Sequence, residues 1–276
     1  MGKIIAVSNQ KGGVGKTTTV VNLGCALAQR GKRILIVDLD PQANATSGLG
    51  IEKRTVAPSI YEGLLSHVPL TELVRPTAVT NLSLIPSHAN LSGAEVELVQ
   101  QSGREFKLRE ALIPLRDRFE WIFVDCPPSL GFLTLNALAA ADGILIPLQC
   151  EYYALEGLTQ LVEVVQLVQE SLNPRLVIEG VLLTMADQRT RLTADVIREV
   201  REFFRDKVYK TIIPRSIRLS EAPSYGQPIA FYAPESIGAQ RYGELADEML
   251  GNTIPDSIQE EPVRGENIPE SDEIIG

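Results

Sequence analysis

The run Asn9-Gln10-Lys11-Gly12-Gly13-Val14-Gly15-Lys16-Thr17-Thr18 restricts what this 276-residue chain can fold into more than any other feature. It follows the β-branched segment Lys3-Ile4-Ile5-Ala6-Val7-Ser8 and opens a stretch that reads as helix. Strand, glycine-rich turn and helix in that order bring the N–H groups of the turn and of the helix N-terminus onto one spot, a cradle for phosphate oxygens. Gly12, Gly13 and Gly15 let the backbone curl without a Cβ in the way. The cradle then runs from Lys11 through Gly12, Gly13, Val14 and Gly15 to Thr18. Within it Lys16 reaches the β- and γ-phosphates of a nucleotide and Thr17 holds Mg²⁺. An ordinary glycine-rich loop would not need the flanking strand and helix. ATP or GTP with Mg²⁺ is the expected ligand.

The loop departs from the standard G-x-x-x-x-G-K-[ST] pattern. Gln10 stands at the first glycine position, and Lys11 adds a second cation. Charge on the transferring γ-phosphoryl is what such a site stabilises. Lys11 can serve it within one subunit or across a dimer, and in the second case nucleotide binding and dimerisation become one event.

Forty-four per cent apolar and 22% charged residues fit an ordinary globular chain. No apolar run approaches the roughly 20 residues of a membrane helix, and the N-terminus has no signal-peptide pattern. Cys25, Cys126 and Cys150 are far apart with no C-x-x-C, so they read as small buried apolar residues in a reducing cytoplasm. The net charge of −9 is unevenly spread. Residues 252–276 carry seven acids, one base, three prolines and no aromatic residue, and read as an acidic disordered tail. Residues 1–251 read as one domain.

Strands alternate with helices in the manner of a doubly wound, mostly parallel α/β sheet with helices on both faces. Strands are expected at Lys3–Ser8, Arg33–Val37, Leu82–Pro86, Trp121–Asp125, Gly143–Pro147, Leu176–Thr184 and Thr211–Pro214. Helices are expected at Lys16–Gln29, Glu95–Leu115, Asn136–Ala141, Leu155–Leu172, Ala194–Lys207 and Ala239–Leu250. Ligands in such sheets sit at the C-terminal strand ends. Asp125 ends an apolar strand downstream of the phosphate loop, where a carboxylate holds Mg²⁺. Asp38 and Asp40 alternate and so point to the same side of an extended chain. One can reach the Mg²⁺ shell while the other orients the attacking water. Asp40 lies further out and is assigned to the water. Asp38 is either in the Mg²⁺ shell or a cap for the segment after Pro41.

Between Arg189 and Arg218 nine bases face four acids, a local +5. A salt-sensitive phosphate-binding surface needs little more, but a solvated helix face has the same composition.

These residues together resemble the ParA/MinD group of ATPases. Lys11-Gly12-Gly13-Val14-Gly15-Lys16-Thr17 is similar to that group's deviant Walker A loop. The runs from Val37 to Gly48, Asp125 to Gly131, Gln149 to Gly157 and Ile213 to Pro223 look like the chromosomal ParA (Soj) branch. The likeness covers roughly residues 1–250. It implies a P-loop ATPase for chromosome or plasmid partition, nucleoid-associated in the cytoplasm. ATP would drive a sandwich homodimer that binds double-stranded DNA without sequence preference, and a ParB-type partner would stimulate hydrolysis. By position, Lys11 would contact phosphate across the dimer and Gly12 would lie at the subunits' closest approach. Lys16 and Thr17 would serve phosphate and Mg²⁺, Asp40 would be the hydrolytic residue, and Pro214 would lie near the adenine. Arg189 and Arg218 would contact DNA, which tips the basic segment toward that reading. A MinD-like membrane ATPase needs a basic amphipathic C-terminus, and the acidic, proline-punctuated tail does not supply one. An iron–sulfur ATPase needs cysteine ligands that are absent. A metabolic kinase or amidoligase shares the loop and stays open.

Overall fold

The central strands are apolar on both sides, and a parallel sheet of that kind must be covered on both faces. The computed structural model describes residues 1–66, 68–151, 154–187 and 189–252, with the backbone alone for 154–159. Its strands are β1 (Lys3–Val7), β2 (Ile34–Asp38), β3 (Arg75–Pro76), β4 (Leu82–Ile85), β5 (Trp121–Asp125), β6 (Gly143–Gln149) and β7 (Val177–Thr184). They form one sheet in the order β3-β4-β2-β5-β1-β6-β7, and every pairing is parallel except β3 with β4. The helices are α1 (Lys16–Gln29), α2 (Asn44–Gly48), α3 (Ile60–Leu65), α4 (Leu70–Leu73), α5 (Leu91–Val99) and α6 (Lys107–Leu112). They continue as α7 (Phe132–Ala140), α8 (Ala154–Ser171), α9 (Arg191–Phe204), α10 (Ile217–Glu221), α11 (Ile229–Tyr232) and α12 (Ile237–Met249).

Alternation along the strands sorts the core into two layers. Ile5, Val7, Ile36, Phe123 and Leu145 pack with Leu23 and Leu27 of α1 and with Tyr242 and Leu245 of α12. Ala6, Leu35, Val37, Val124 and Ile144 pack the opposite way, with Leu98, Leu138, Leu161 and Val165 of α5, α7 and α8. Each large apolar side chain buried in this way is worth roughly 1.5–3 kcal/mol. The three cysteines are free and buried in these layers. Burial pushes the Cys25 and Cys150 thiols up to about 12, so they stay protonated.

Strand register sets the site. Val7 of β1 and Asp38 of β2 both pair with Asp125 of β5, so the three central strands end level and their loops open along one edge.

The described residues depart from expectation in several places. The helix expected over Glu95–Leu115 is two, α5 and α6. Gly103 turns the chain between them at φ +65°, and Asn136 ties the break down: it accepts from the Leu108 N–H and donates to the Arg104 carbonyl. The expected strand Thr211–Pro214 makes only an isolated bridge, Pro214 with Ala186. The Glu248 carboxylate takes the Lys210 and Thr211 N–H groups, and proline has none to give. α7 begins four residues before Asn136, because Glu95 accepts the Phe132 and Leu133 N–H groups and caps the extra turn. Short α2, α3 and α4 fill a stretch where no element was expected. The expected tail, residues 252–276, lies outside the described residues apart from Asn252. No helix among the described residues is long and apolar enough to cross a membrane.

Candidate functional site

The loop between β1 and α1 takes its shape from two glycines and one asparagine. Gly13 and Gly15 adopt φ +74° and +88°, the left-handed region that glycine enters without strain. Asn9 is buried; its Nδ2 donates to the Pro147 carbonyl at 2.8 Å, and its Oδ1 accepts the Lys11 N–H at 3.0 Å. From the other side, Thr184 at the end of β7 donates its hydroxyl to the carbonyl of buried Val14 at 2.9 Å. The first turn of α1 contains no acid, so its N-terminal partial charge is not cancelled from within the helix. Thr18 faces back into α1, its carbonyl accepting from Asn22 Nδ2 at 2.8 Å.

Gly12 is a different case. Its φ is not left-handed, and a Cβ there would meet nothing within 4 Å. Nothing among the described residues requires a glycine at that exposed position, which corrects the expectation that the turn itself demands it.

Lys16 is buried, and its Nζ donates to the carbonyls of Asn9 at 3.0 Å and Lys11 at 3.2 Å. Burial lowers its pKa; the charges of Asp125, Cys126 and Asp40 pull the other way. Lys11 points elsewhere. Its Nζ is 2.8 Å from Oε2 of Glu151, whose other oxygen accepts from Gln149 and stands 3.8 Å from Arg215.

The three carboxylates converge as expected, but with unequal partners. Asp125 is fully buried, and neither of its oxygens has a hydrogen-bond partner. Burial, and then the charge of Asp38, raise its pKa well above the usual carboxylate range. The Thr17 hydroxyl lies beside it and favours the ionised form, without closing a hydrogen bond of ordinary geometry. Asp38 is occupied: Oδ2 accepts from the Thr46 N–H at 2.7 Å and its hydroxyl at 2.6 Å, and Oδ1 from the Asp40 N–H at 3.3 Å. Burial carries Asp38 up to about 6 against these donors. Among the described residues no donor reaches the second carboxylate oxygen of Asp40; Oδ1 accepts the Gln42 N–H at 2.9 Å.

Among the described residues no three or more acidic, histidine or cysteine side chains group as a metal cage. Mg²⁺ needs no such cage, since it takes one or two carboxylates and completes its shell with phosphate and water. The buried, unpartnered carboxylate of Asp125 beside the Thr17 hydroxyl is the donor pair such an ion needs.

A second cavity, about 460 Å³, opens where β7 leaves the sheet. It is lined by Ala186, Asp187, Arg189, Pro214, Arg215 and Ile217, among others. Pro214 reaches this wall through its bridge to Ala186, two residues past Thr184. Arg189 and Arg218 are exposed, and each is already paired. Arg189 Nη2 is 2.8 Å from Asp187, and Arg218 Nη1 is 3.0 Å from Glu221. Behind Arg218 the turn at Gly226 (φ +63°) abuts Gly50 (φ +80°). A Cβ on Gly226 would stand 2.8 Å from the Gly50 Cα and 3.3 Å from the Ser47 carbonyl.

Sequence reasoning missed Asn9, Ser87, Glu95 and Thr184 as contributors. Ser87 and Thr184 stand at C-terminal strand ends, the one signal that singles them out.

Comparison with known proteins accords with this geometry. A family model described as an AAA domain matches residues 2–178. The chain is 58% identical over 252 residues to the sporulation initiation inhibitor protein Soj of Bacillus subtilis, covering 91% of this chain and 100% of that one. It is 53% identical over 257 residues to the chromosome partitioning protein ParA of Myxococcus xanthus, covering 93% and 91%. Among solved structures, the cobyrinic acid a,c-diamide synthase of Mycobacterium smegmatis with bound ATP analog and magnesium superposes with a TM-score of 0.80. It shares 39% identity, with 91% of this chain and 95% of that chain covered.

Proposed function

The chain belongs to the Soj/ParA family of chromosome-partitioning ATPases, and on that premise we propose that it hydrolyses ATP slowly as a DNA-bound dimer. The observation that carries this reading is the pair of half-buried Lys11 and exposed Gly12. Lys11 adds a cation to a loop whose phosphate lysine is already Lys16, and nothing among the described residues asks for glycine at position 12. Both make sense if a second copy closes over the loop. Gly12 then permits close backbone approach, and Lys11 exchanges Glu151 for the partner's nucleotide.

Within one subunit the N–H groups of the loop and of α1 bind the phosphates. Lys16 transfers its N–H donors from the Asn9 and Lys11 carbonyls to the β/γ-phosphates. Thr17, Asp125 and Asp38 would hold Mg²⁺, which would neutralise charge developing on the phosphate oxygens. Asp40, with one carboxylate oxygen clear of donors among the described residues, accepts a hydrogen bond from the attacking water and aims it. The cavity beside Pro214 takes the base; its wall residue Ala186 lies two residues past Thr184, which bonds the phosphate loop at Val14. Arg189 and Arg218 contact duplex DNA through phosphate alone, and a dimer doubles their number, so two weak contacts act together. A ParB-type centromere-binding partner stimulates hydrolysis and releases the dimer. The protein then works in the cytoplasm on the nucleoid as one ATPase domain, residues 1–251, with an acidic tail after it and no membrane partner.

Binding to a non-specific duplex, measured without nucleotide, with ADP and with ATP at low and moderate salt, tests the whole. ATP-dependent, salt-sensitive binding is expected. Intact ATP binding with no DNA binding in any state would instead favour a metabolic amidoligase. For the chemistry, Asp40→Ala is expected to bind ATP, hydrolyse it only at a small residual rate that single-turnover measurement still reads, and trap the dimer on DNA; normal turnover by that variant would remove Asp40 from its role.

A further inference from the structure

We propose that Ser87 and Thr46 are positioning residues for ATP hydrolysis, acting through Asp40. The inference rests on the reading of Asp40 as the residue that aims water. Four buried residues close a ring of hydrogen bonds. The Ser87 hydroxyl donates to the Asp40 carbonyl at 2.8 Å, and the Ser87 N–H donates to Thr46 Oγ1 at 2.9 Å. Thr46 donates its hydroxyl and its N–H to Asp38 Oδ2 at 2.6 and 2.7 Å. The Asp40 N–H returns to Asp38 Oδ1 at 3.3 Å. Asp38, Thr46 and Ser87 are entirely inaccessible to solvent, and Asp40 is 7% exposed.

The ring contributes to stability, because removing either hydroxyl leaves a buried partner unsatisfied. Its effect on the chemistry is geometric. The segment from Asp40 to Thr46 has only one short helix of its own, and a loop of that kind has several backbone paths open to it. Ser87 ties the Asp40 carbonyl to the end of β4, a strand in the sheet. Thr46 ties the far end of the segment to β2 through Asp38. With both ends fixed, the Asp40 carboxylate keeps one direction relative to the phosphate loop. A misplacement of about 1 Å in such a group can cost on the order of 100-fold in rate. The bonds also have one polarity. The Thr46 hydroxyl receives from Ser87 and gives to Asp38, so a valine there would break two links at once while keeping the shape.

The test is a double-mutant cycle on the full-length chain with Mg²⁺-ATP, reading single-turnover hydrolysis and ATP affinity separately. Ser87→Ala is expected to slow hydrolysis about tenfold with ATP affinity within about twofold, since the group acts on orientation. In an Asp40→Ala background the same change is expected to cost nothing further, because its only route to the chemistry is gone. Thr46→Val is expected to reproduce the slow rate and Thr46→Ser to restore it, with melting temperatures checked for all variants. A normal rate in Ser87→Ala, or an equal cost in both backgrounds, overturns the proposal while leaving Asp40 in place. Normal hydrolysis by Asp40→Ala alone overturns the Asp40 reading instead. If Ser87→Ala does not fold, the Thr46 pair decides: failure of serine to restore a rate lost in valine sinks the proposal.

Discussion

At the level strand ends, Asp38, Asp125 and Lys16 are buried, and their charges act on one another through a medium of low polarity. Arg189, on the wall of the cavity beside Pro214, and Arg218 stand in solvent, each beside an acid two or three residues away in sequence. The first region holds groups in place before any ligand arrives and leaves the Asp125 oxygens without partners. The second offers charge already engaged, in pairs typically worth 0–1 kcal/mol. A polyphosphate with its metal therefore meets a prepared site. On the proposed reading, DNA phosphate would meet side chains that must first let go of Asp187 and Glu221, at small cost and with small gain per contact.

The contrast is widest at Lys16. Lys16→Ala removes a buried cation with no substitute at the β/γ-phosphates, and ATP affinity is expected to fall roughly 100-fold or more, as for loss of a charge-assisted contact in a dry site. Calorimetric titration with ATP checks it; unchanged affinity would erase the distinction between the regions. Asp125→Asn probes the same site from the other direction. A carboxyl whose folded pKa lies above its unfolded one favours folding at low pH, and that contribution is lost as pH rises through the folded value. The nucleotide-free variant is therefore expected to be more stable than wild type at pH 7, by about 1–3 kcal/mol. The advantage shrinks toward pH 4, and Mg²⁺-ATP no longer raises the melting temperature. Scanning calorimetry at both pH values reads all three effects.

On the exposed face the effects are smaller. Arg218→Glu is expected to weaken ATP-dependent DNA binding about tenfold and flatten its salt dependence by about one charge per subunit, while light scattering still finds the ATP dimer. Arg189→Ala has the least effect. Hydrogen bonds from Arg189 hold the Asp187 carboxyl down at about 2. Because that folded pKa is depressed, its contribution is present above the ordinary carboxylate value and is lost as pH falls through about 2. The variant is expected to return Asp187 toward an ordinary carboxylate titration by NMR. An unmoved Asp187 would assign its low value to something other than this pair.

The buried region was also the one legible in the sequence. Strand, glycine loop and helix leave little choice of geometry, and α1 runs from Lys16 to Gln29 as expected. β5 delivers Asp125 at the end of an apolar run for the same reason. What the sequence hid was long-range satisfaction of backbone donors. Asn136 and Glu248 replaced a helix and a strand with irregular chain by bonding segments 28 and 37–38 residues away. Ser87, an unremarkable serine after a proline, acquired its partners 41 and 47 residues away. No local periodicity carries such information. Arg189 and Arg218 could be picked out as charges, but their pairing with Asp187 and Glu221 emerges only from side-chain geometry.

Gly50 and Gly226 meet backbone to backbone, with no side chain between them to compress or swing aside. The stretch ending at Gly50 begins just beyond Asp40, and the turn at Gly226 closes the segment that bears Arg218. Contact by shape alone has no ion to screen and no proton to lose. Added salt will therefore screen the charge of Arg218 while leaving the fit between the two turns untouched, so that charge and shape in this part of the molecule answer to different conditions.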